Sequence, residues 1–245
     1  MSELRIGCSG FNYWQWKGNF YPPDLPQRKW LEHYCKVFNT VELNVTFYRL
    51  PLPGTFDKWY KETPDDFAFS LKGSRFISHI KRLSDVAEPL NLFFERALRL
   101  REKLKVVLWQ FSPGFKIEIE RLKKFLDLLK PHPVRNTLEL RHESWITDKT
   151  VDICKKRNVS ICMADWPEFI DDLPVTSDFV YIRRHGEGGS YATDYSKAAL
   201  KKDAKRIKKH LKDGNDVFIY FNNDAYGYAP KNAKELMEML KSLIL

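Results

Sequence analysis

Short apolar runs that turn polar at their last residues recur along the 245-residue chain, and most are followed by a segment of helical period. The clearest is TLELRHESW, residues 137–145. Side chains alternate along a strand, so Thr137, Glu139 and Arg141 share one face and Leu138 and Leu140 the other. The leucines can meet a packed layer, whereas the charged pair needs partners or solvent. In chain order the pattern predicts eight strands: LRIGCSG, a second within 39–51, DFAFSLKGS ending at Lys72, KVVLWQFSP ending at Gln110, TLELR, VSICMADWP ending at Asp165, DFVYIRRHG and DVFIYFNND. Apolar spacing and breakers place helices near 27–37, 55–61, 88–103, 117–129, 148–157, 196–212 and 230–243.

Eight strand-then-helix units of roughly 30 residues, with no linker between them, imply parallel strands joined by right-handed crossovers. The fold class this predicts is α/β, a closed (β/α)₈ TIM-type barrel forming a single domain over residues 1–245. A doubly wound open sheet would want a GxGxxG turn after the first strand, and GCSGFN does not supply one.

Composition narrows the partners. An apolar share of 43% can fill a core, and Lys plus Arg outnumber Asp plus Glu by 41 to 32, giving +9 and a pI near 9.2. That balance favours acidic or phosphate-bearing partners, with nucleic acid among them. Cys8, Cys35, Cys154 and Cys162 are scattered, so neither a disulfide framework nor a structural zinc is expected, and a reducing cytoplasm is the simplest setting. There is no HxH or HExxH spacing, no cofactor motif, no signal segment and no apolar run near about 18 residues. The expectation is a cytoplasmic protein with no membrane partner, no cofactor and no metal.

Several segments carry a resemblance: GCSGFNYWQWKGNFYP, FNTVELNVTFYRLP, FAFSLKGSRFISH, LWQFSP, LELRHESW, YIRRHG and YFNNDAYGYAPKNA. In order, and nearly from end to end, they resemble the domain-of-unknown-function-72 family, also called YecE-like. The resemblance implies a TIM-barrel-like fold with the family's characteristic residues gathered at one mouth. It implies no settled activity. Relatives are also expected to carry Thr where this chain has Cys8, so the resemblance does not mark that thiol as essential.

In barrel enzymes the site lies at the C-terminal ends of the strands. Read in order, the strand ends are Glu42 and Asn44, Lys72, Gln110, Glu139 and Arg141, Asp165, Arg183 and His185, then Asn223. A ring of polar residues is hard to explain as packing, so these are expected to converge on a ligand. Lys72, Arg141 and Arg183 point to an anion, because Arg offers a rigid fork to phosphate or carboxylate; the alternative is that each Arg pairs with a carboxylate of the ring. The catalytic candidates are Glu42, Glu139, Asp165 and His185. Asn44, Lys72, Gln110, Arg141, His142, Arg183, Asn222, Asn223 and Tyr191 are the candidate binding residues. HGEGGSY, after the seventh strand, could lower its backbone NH groups onto the ligand. Arg184 is expected to point away from Arg183, and Arg183→Ala to cost binding more than fold.

The leading reading is an enzyme acting on a small anionic, phosphate-bearing substrate. A nucleic-acid-binding or nuclease-like barrel, whose aromatics stack bases, is the alternative. A third is a glycosidase-like hydrolase, with paired carboxylates and a rim of Trp14, Trp16, Trp145 and Trp166. In KAALKKDAKRIKKHLKDG the stripe Leu200, Ala204, Ile207 and Leu211 turns the lysines outward, as on a solvated helix.

Overall fold

The computed structural model describes residues 2–244. Its elements in chain order are β1 (Leu4–Ser9), α1 (Trp30–Cys35), β2 (Thr40–Leu43), α2 (Val45–Tyr48), α3 (Pro53–Glu62), β3 (Ala68–Lys72), α4 (Ala87–Ala97), β4 (Leu104–Gln110), α5 (Ile119–Leu129), β5 (Arg135–Glu139), α6 (Asp148–Lys155), β6 (Ser160–Ile161), β7 (Met163–Ala164), β8 (Phe179–Arg184), α7 (Lys197–Lys212), β9 (Asp216–Phe221) and α8 (Tyr228–Ile244). Every recorded strand pairing is parallel. Among the described residues there are nine parallel strands in largely strand-then-helix alternation, β6 and β7 being two-residue strands on either side of Cys162. That is the α/β class, with the (β/α)₈ TIM-type pattern that the sequence predicts.

The chain divides into two compact units. The first comprises Met1–Glu42, Met163–Asp172 and Asp178–Leu245, and the second Leu43–Cys162 and Leu173–Ser177. In the first, β1 pairs with β2 and with β9, β9 with β8, and β8 with β7. The register sets Ser9 beside Glu42, Ala164 beside Arg183, and Arg183 beside Tyr220, which in turn pairs with Gly7, so Arg183 stands two residues below the Ser9–Glu42 level and its long side chain reaches up to it. In the second, β4 lies between β3 and β5, and β5 pairs with β6; here Gln110 stands beside Glu139.

Packing follows from composition. All six residues of β8 are buried, as expected of a parallel strand covered on both faces. In the first unit Trp16, Tyr21, Trp30, Tyr34 and Phe38 form a buried aromatic cluster in which Tyr21 stacks on Trp30 at 4.8 Å. In the second, Trp109 is buried against Phe93, Phe94 and Phe125.

Three elements differ from the sequence expectation. The second strand stops at Leu43, and the β-branched and aromatic run Val45–Tyr48 turns helical. Thr46 is the reason: its hydroxyl donates to the Leu43 carbonyl (3.1 Å) and the Lys72 carbonyl (2.6 Å), a local alternative to a ladder bond. A π-helical turn, Phe76–Ile80, follows β3 where the sequence analysis places no element. The helix expected over 88–103 ends at Ala97 and passes into a 3₁₀ segment in which Arg101 takes φ 51°.

Gly73, just past β3, lets the backbone approach the Trp109 ring so closely that a Cβ there would overlap it. Gly73→Ala is therefore expected to destabilise the protein by about 1–3 kcal/mol, the usual cost of overpacking. Urea denaturation checks this, and an unchanged midpoint would mean that the ring moves aside at no cost.

Candidate functional site

In the first unit the site is built around Glu42, at the end of β2. Its carboxylate is fully buried and accepts from three donors. Arg183 Nη2 donates to Oε1 at 2.8 Å, the Ser9 hydroxyl donates to the same oxygen, and the Tyr181 hydroxyl donates to Oε2 at 2.7 Å. Arg183 Nη2 also reaches Ser9 Oγ at 3.1 Å. Tyr181 and Arg183 lie two apart on β8 and so face the same side. Burial pushes the Glu42 carboxyl up, but the Arg183 charge and the bonds from Ser9, Arg183 and Tyr181 outweigh it and hold the group below the usual carboxylate range. Glu42 is thus ionised and fully occupied. Its chemistry is to orient Arg183, and it does not offer the protonated acid that a glycosidase pair needs.

Arg183 Nη1 lies 3.4 Å from His185 Nε2, and Asn222 Nδ2 lies 3.1 Å from His185 Nδ1. An arginine can only donate, so Nε2 is the acceptor and the neutral ring carries its proton on Nδ1. The Asn222 amide then has to turn its oxygen toward that proton. Arg184, on the other face of β8, donates to Asp203 of α7 and to Asp171 (3.1 Å), as the alternation of β8 predicts.

The loop after β8 is fastened by Asp165. Oδ1 accepts the His185 N–H at 2.8 Å, and Oδ2 accepts the Tyr195 hydroxyl, which in turn accepts the Gly186 N–H at 2.6 Å. Asp165 so ties together the two ends of the segment. The glycine-rich loop is not a phosphate cradle in this arrangement. The N–H groups of Gly186, Glu187, Gly189, Ser190, Tyr191 and Ala192 are all donated within the segment 185–195. Tyr191, at φ 59°, sets its ring edge-on to His185 at 5.3 Å. Asn223 donates to the Thr193 carbonyl and to Asn232 Oδ1, both at 2.8 Å, and so clips the loop to α8.

In the second unit Glu139 accepts from Gln110 Nε2 at 2.8 Å and pairs with Arg141 Nη2 at 2.5 Å. Lys72 Nζ lies 4.1 Å from the Phe47 ring centre. His142 accepts the Ser144 N–H on Nδ1 and starts a 3₁₀ turn, and Asn44 stands at the head of α2. Of the tryptophans expected at a rim, Trp16 and Trp145 are fully buried; Trp14 and Trp166 are exposed.

The sequence reading missed five groups. Ser9, Tyr181 and Tyr195 complete the carboxylate shells and carry no motif; only the alternation of β8 marks Tyr181. Asp224 follows the Asn pair and could have been read as one more strand-end residue. Burial pushes its carboxyl up, beside the Tyr13 hydroxyl. His79 sits on the π-helical turn, which spacing does not reveal; burial, then the charges of Lys72 and Arg75, push its ring down to about 4.

This geometry sits in a chain whose likeness to known proteins is extensive. The family model described as protein of unknown function DUF72 matches residues 5–243. The chain belongs to the DUF72 family. The DUF72 chain is 27% identical to the UPF0759 protein YunF of Bacillus subtilis over 97% of its own length and 94% of that protein's. It is similar to the crystal structure of a DUF72 family protein from Thermotoga maritima, with 28% identity, a TM-score of 0.86, and 98% and 99% of the two chains covered. D-Psicose 3-epimerase from Clostridium cellulolyticum aligns at 10% identity, a TM-score of 0.61, and 98% and 99% coverage, a likeness of fold alone.

Arg183 is 1% exposed and Glu42 0%. Removing the guanidinium leaves a buried unpaired carboxylate, so Arg183→Ala is expected to cost about 3–5 kcal/mol, contrary to the small loss that the sequence reading expects. Leu140→Ala, a buried truncation, serves as the yardstick at about 2–5 kcal/mol. Denaturant unfolding of both variants decides: a cost below about 1 kcal/mol for Arg183→Ala would mean that the pair contributes little to the fold.

Proposed function

We propose that this DUF72 chain is an enzyme that performs acid–base chemistry on a small anionic, phosphate-bearing substrate. The observation that supports the reading is the buried Glu42–Arg183–His185 array at the strand ends of the first unit. Arg183 is held rigid by Glu42 and supplies positive charge to the anionic group of the substrate. His185, whose proton sits on Nδ1 beside Asn222, moves a proton to or from the reacting atom. Asp224 is the second proton carrier. The surroundings push the Glu42 carboxyl down and the Asp224 carboxyl up, so the two are suited to different roles. Asp165 and Asn223 position the 186–195 loop, and Tyr191 borders the histidine. Arg141 held by Glu139, with Gln110 and Lys72, offers the same pairing of clamped cation and polar neighbours in the second unit.

A thermal-melt panel of sugar phosphates, nucleotides and their neutral counterparts tests this. At about 100 times Kd a bound compound stabilises by about 2.7 kcal/mol, several degrees for a chain of this size. A phosphate-bearing compound is expected to raise Tm, and Arg183→Lys to lose the shift while His185→Gln keeps it. Equal shifts from neutral sugars, or no shift across the panel, would count against the anionic substrate.

A further inference from the structure

α2 and the π-helical turn that follows β3 lie side by side. The Thr46 hydroxyl bonds the Lys72 carbonyl at 2.6 Å, and the buried Phe47 ring stands 5.0 Å from both the Tyr48 and His79 rings. Around this buried spacer the surface is unusual in two ways. Large flat side chains face solvent, with Tyr48 75% and Phe76 42% exposed. The flanking charges are mostly positive: Arg49, Arg75, Lys81 and Arg82 are exposed, none has an ion-pair partner recorded among the described residues, and the exposed Asp85 stands at the edge of this run. No acidic residue occurs between Phe67 and Ser84 or between Leu43 and Phe56. Elsewhere on the chain exposed lysines and arginines repeatedly sit within reach of carboxylates, as Arg99 does with Asp57 and Lys209 with Asp213.

We infer that this face is a docking surface for single-stranded nucleic acid. Exposed rings interleaved with unmatched cations suit a strand whose bases stack while its phosphates meet the guanidinium and ammonium groups. His79, kept neutral by its surroundings, adds a flat uncharged ring beside Phe47. A duplex fits less well, because its bases are already stacked and its backbone needs a longer positive track than four residues give. A bilayer surface fits less well too: the two helical pieces span only four and five residues, too short for an amphipathic helix lying in the interface.

The test is fluorescence anisotropy of a labelled 12-nucleotide single strand with the full-length protein across a salt series. A matched duplex and anionic phosphatidylserine vesicles are the comparators. Four neutralised phosphates predict a log–log salt slope of about −3, at roughly 0.7 per phosphate on single strands. Phe76→Ala and Tyr48→Ala are each expected to weaken binding by about fivefold or more. The triple variant R75E/K81E/R82E is expected to abolish it with an unchanged melt, since all three side chains are exposed. Binding that these variants leave intact, preference for the duplex or the vesicles, or no binding at low salt would overturn the proposal.

Discussion

The ion pair between Arg183 and Glu42 is the constraint on which the first unit's strand ends depend. A buried carboxylate is costly unless its lone pairs are occupied and its charge is matched. Here both conditions are met, by Ser9 from β1, by Tyr181 and Arg183 from β8, and by a register that sets Ser9 beside Glu42. Three strands are thereby tied together at this carboxylate. Because folded Glu42 releases its proton more readily than the unfolded chain does, its contribution is complete above about 4.5, the ordinary value. It is lost as pH falls through the lowered folded value.

The same rule organises the rest of the polar interior. Asp165 is occupied by the His185 N–H and the Tyr195 hydroxyl, Asp203 by Arg184, and Glu139 by Gln110 and Arg141. Strand-end carboxylates in this chain act first as clamps that aim a cation or fasten a loop. Asp224 differs from these clamped carboxylates: burial pushes its carboxyl up beside the Tyr13 hydroxyl. Residue type and position alone therefore do not separate a carboxylate that positions a neighbour from one that does not; the hydrogen bonds do.

Much of this was legible from the pattern. The strand-then-helix alternation follows from period, and the separation of Arg183 from Arg184 follows from the two-residue repeat of a strand. The outward lysines of α7 follow from its apolar stripe, whose Leu200, Ala204 and Ile207 are buried. What escaped has physical reasons. Val45–Tyr48 has strand-like composition, and only the Thr46 hydroxyl, bonding a carbonyl 26 residues away, makes it helical. The π-helical turn has no periodic signature. The glycines of the 186–195 loop suggested free amides, but Tyr195, Thr193 and the loop's own carbonyls take them up, and no spacing rule announces that. Trp16 and Trp145 looked like rim residues because aromatic composition does not distinguish a core ring from a surface one.

The central claim is that Glu42 is an ionised, fully hydrogen-bonded clamp on Arg183. Carbon-13 NMR titration of the Glu42 side-chain carboxyl in the intact protein measures this directly, with assignment by Glu42→Gln. The account predicts a midpoint clearly below the ordinary 4.5, with the signal moving only as the protein begins to lose stability in acid. A midpoint at or above 4.5, with Glu42 taking up its proton while the fold is intact, would contradict it.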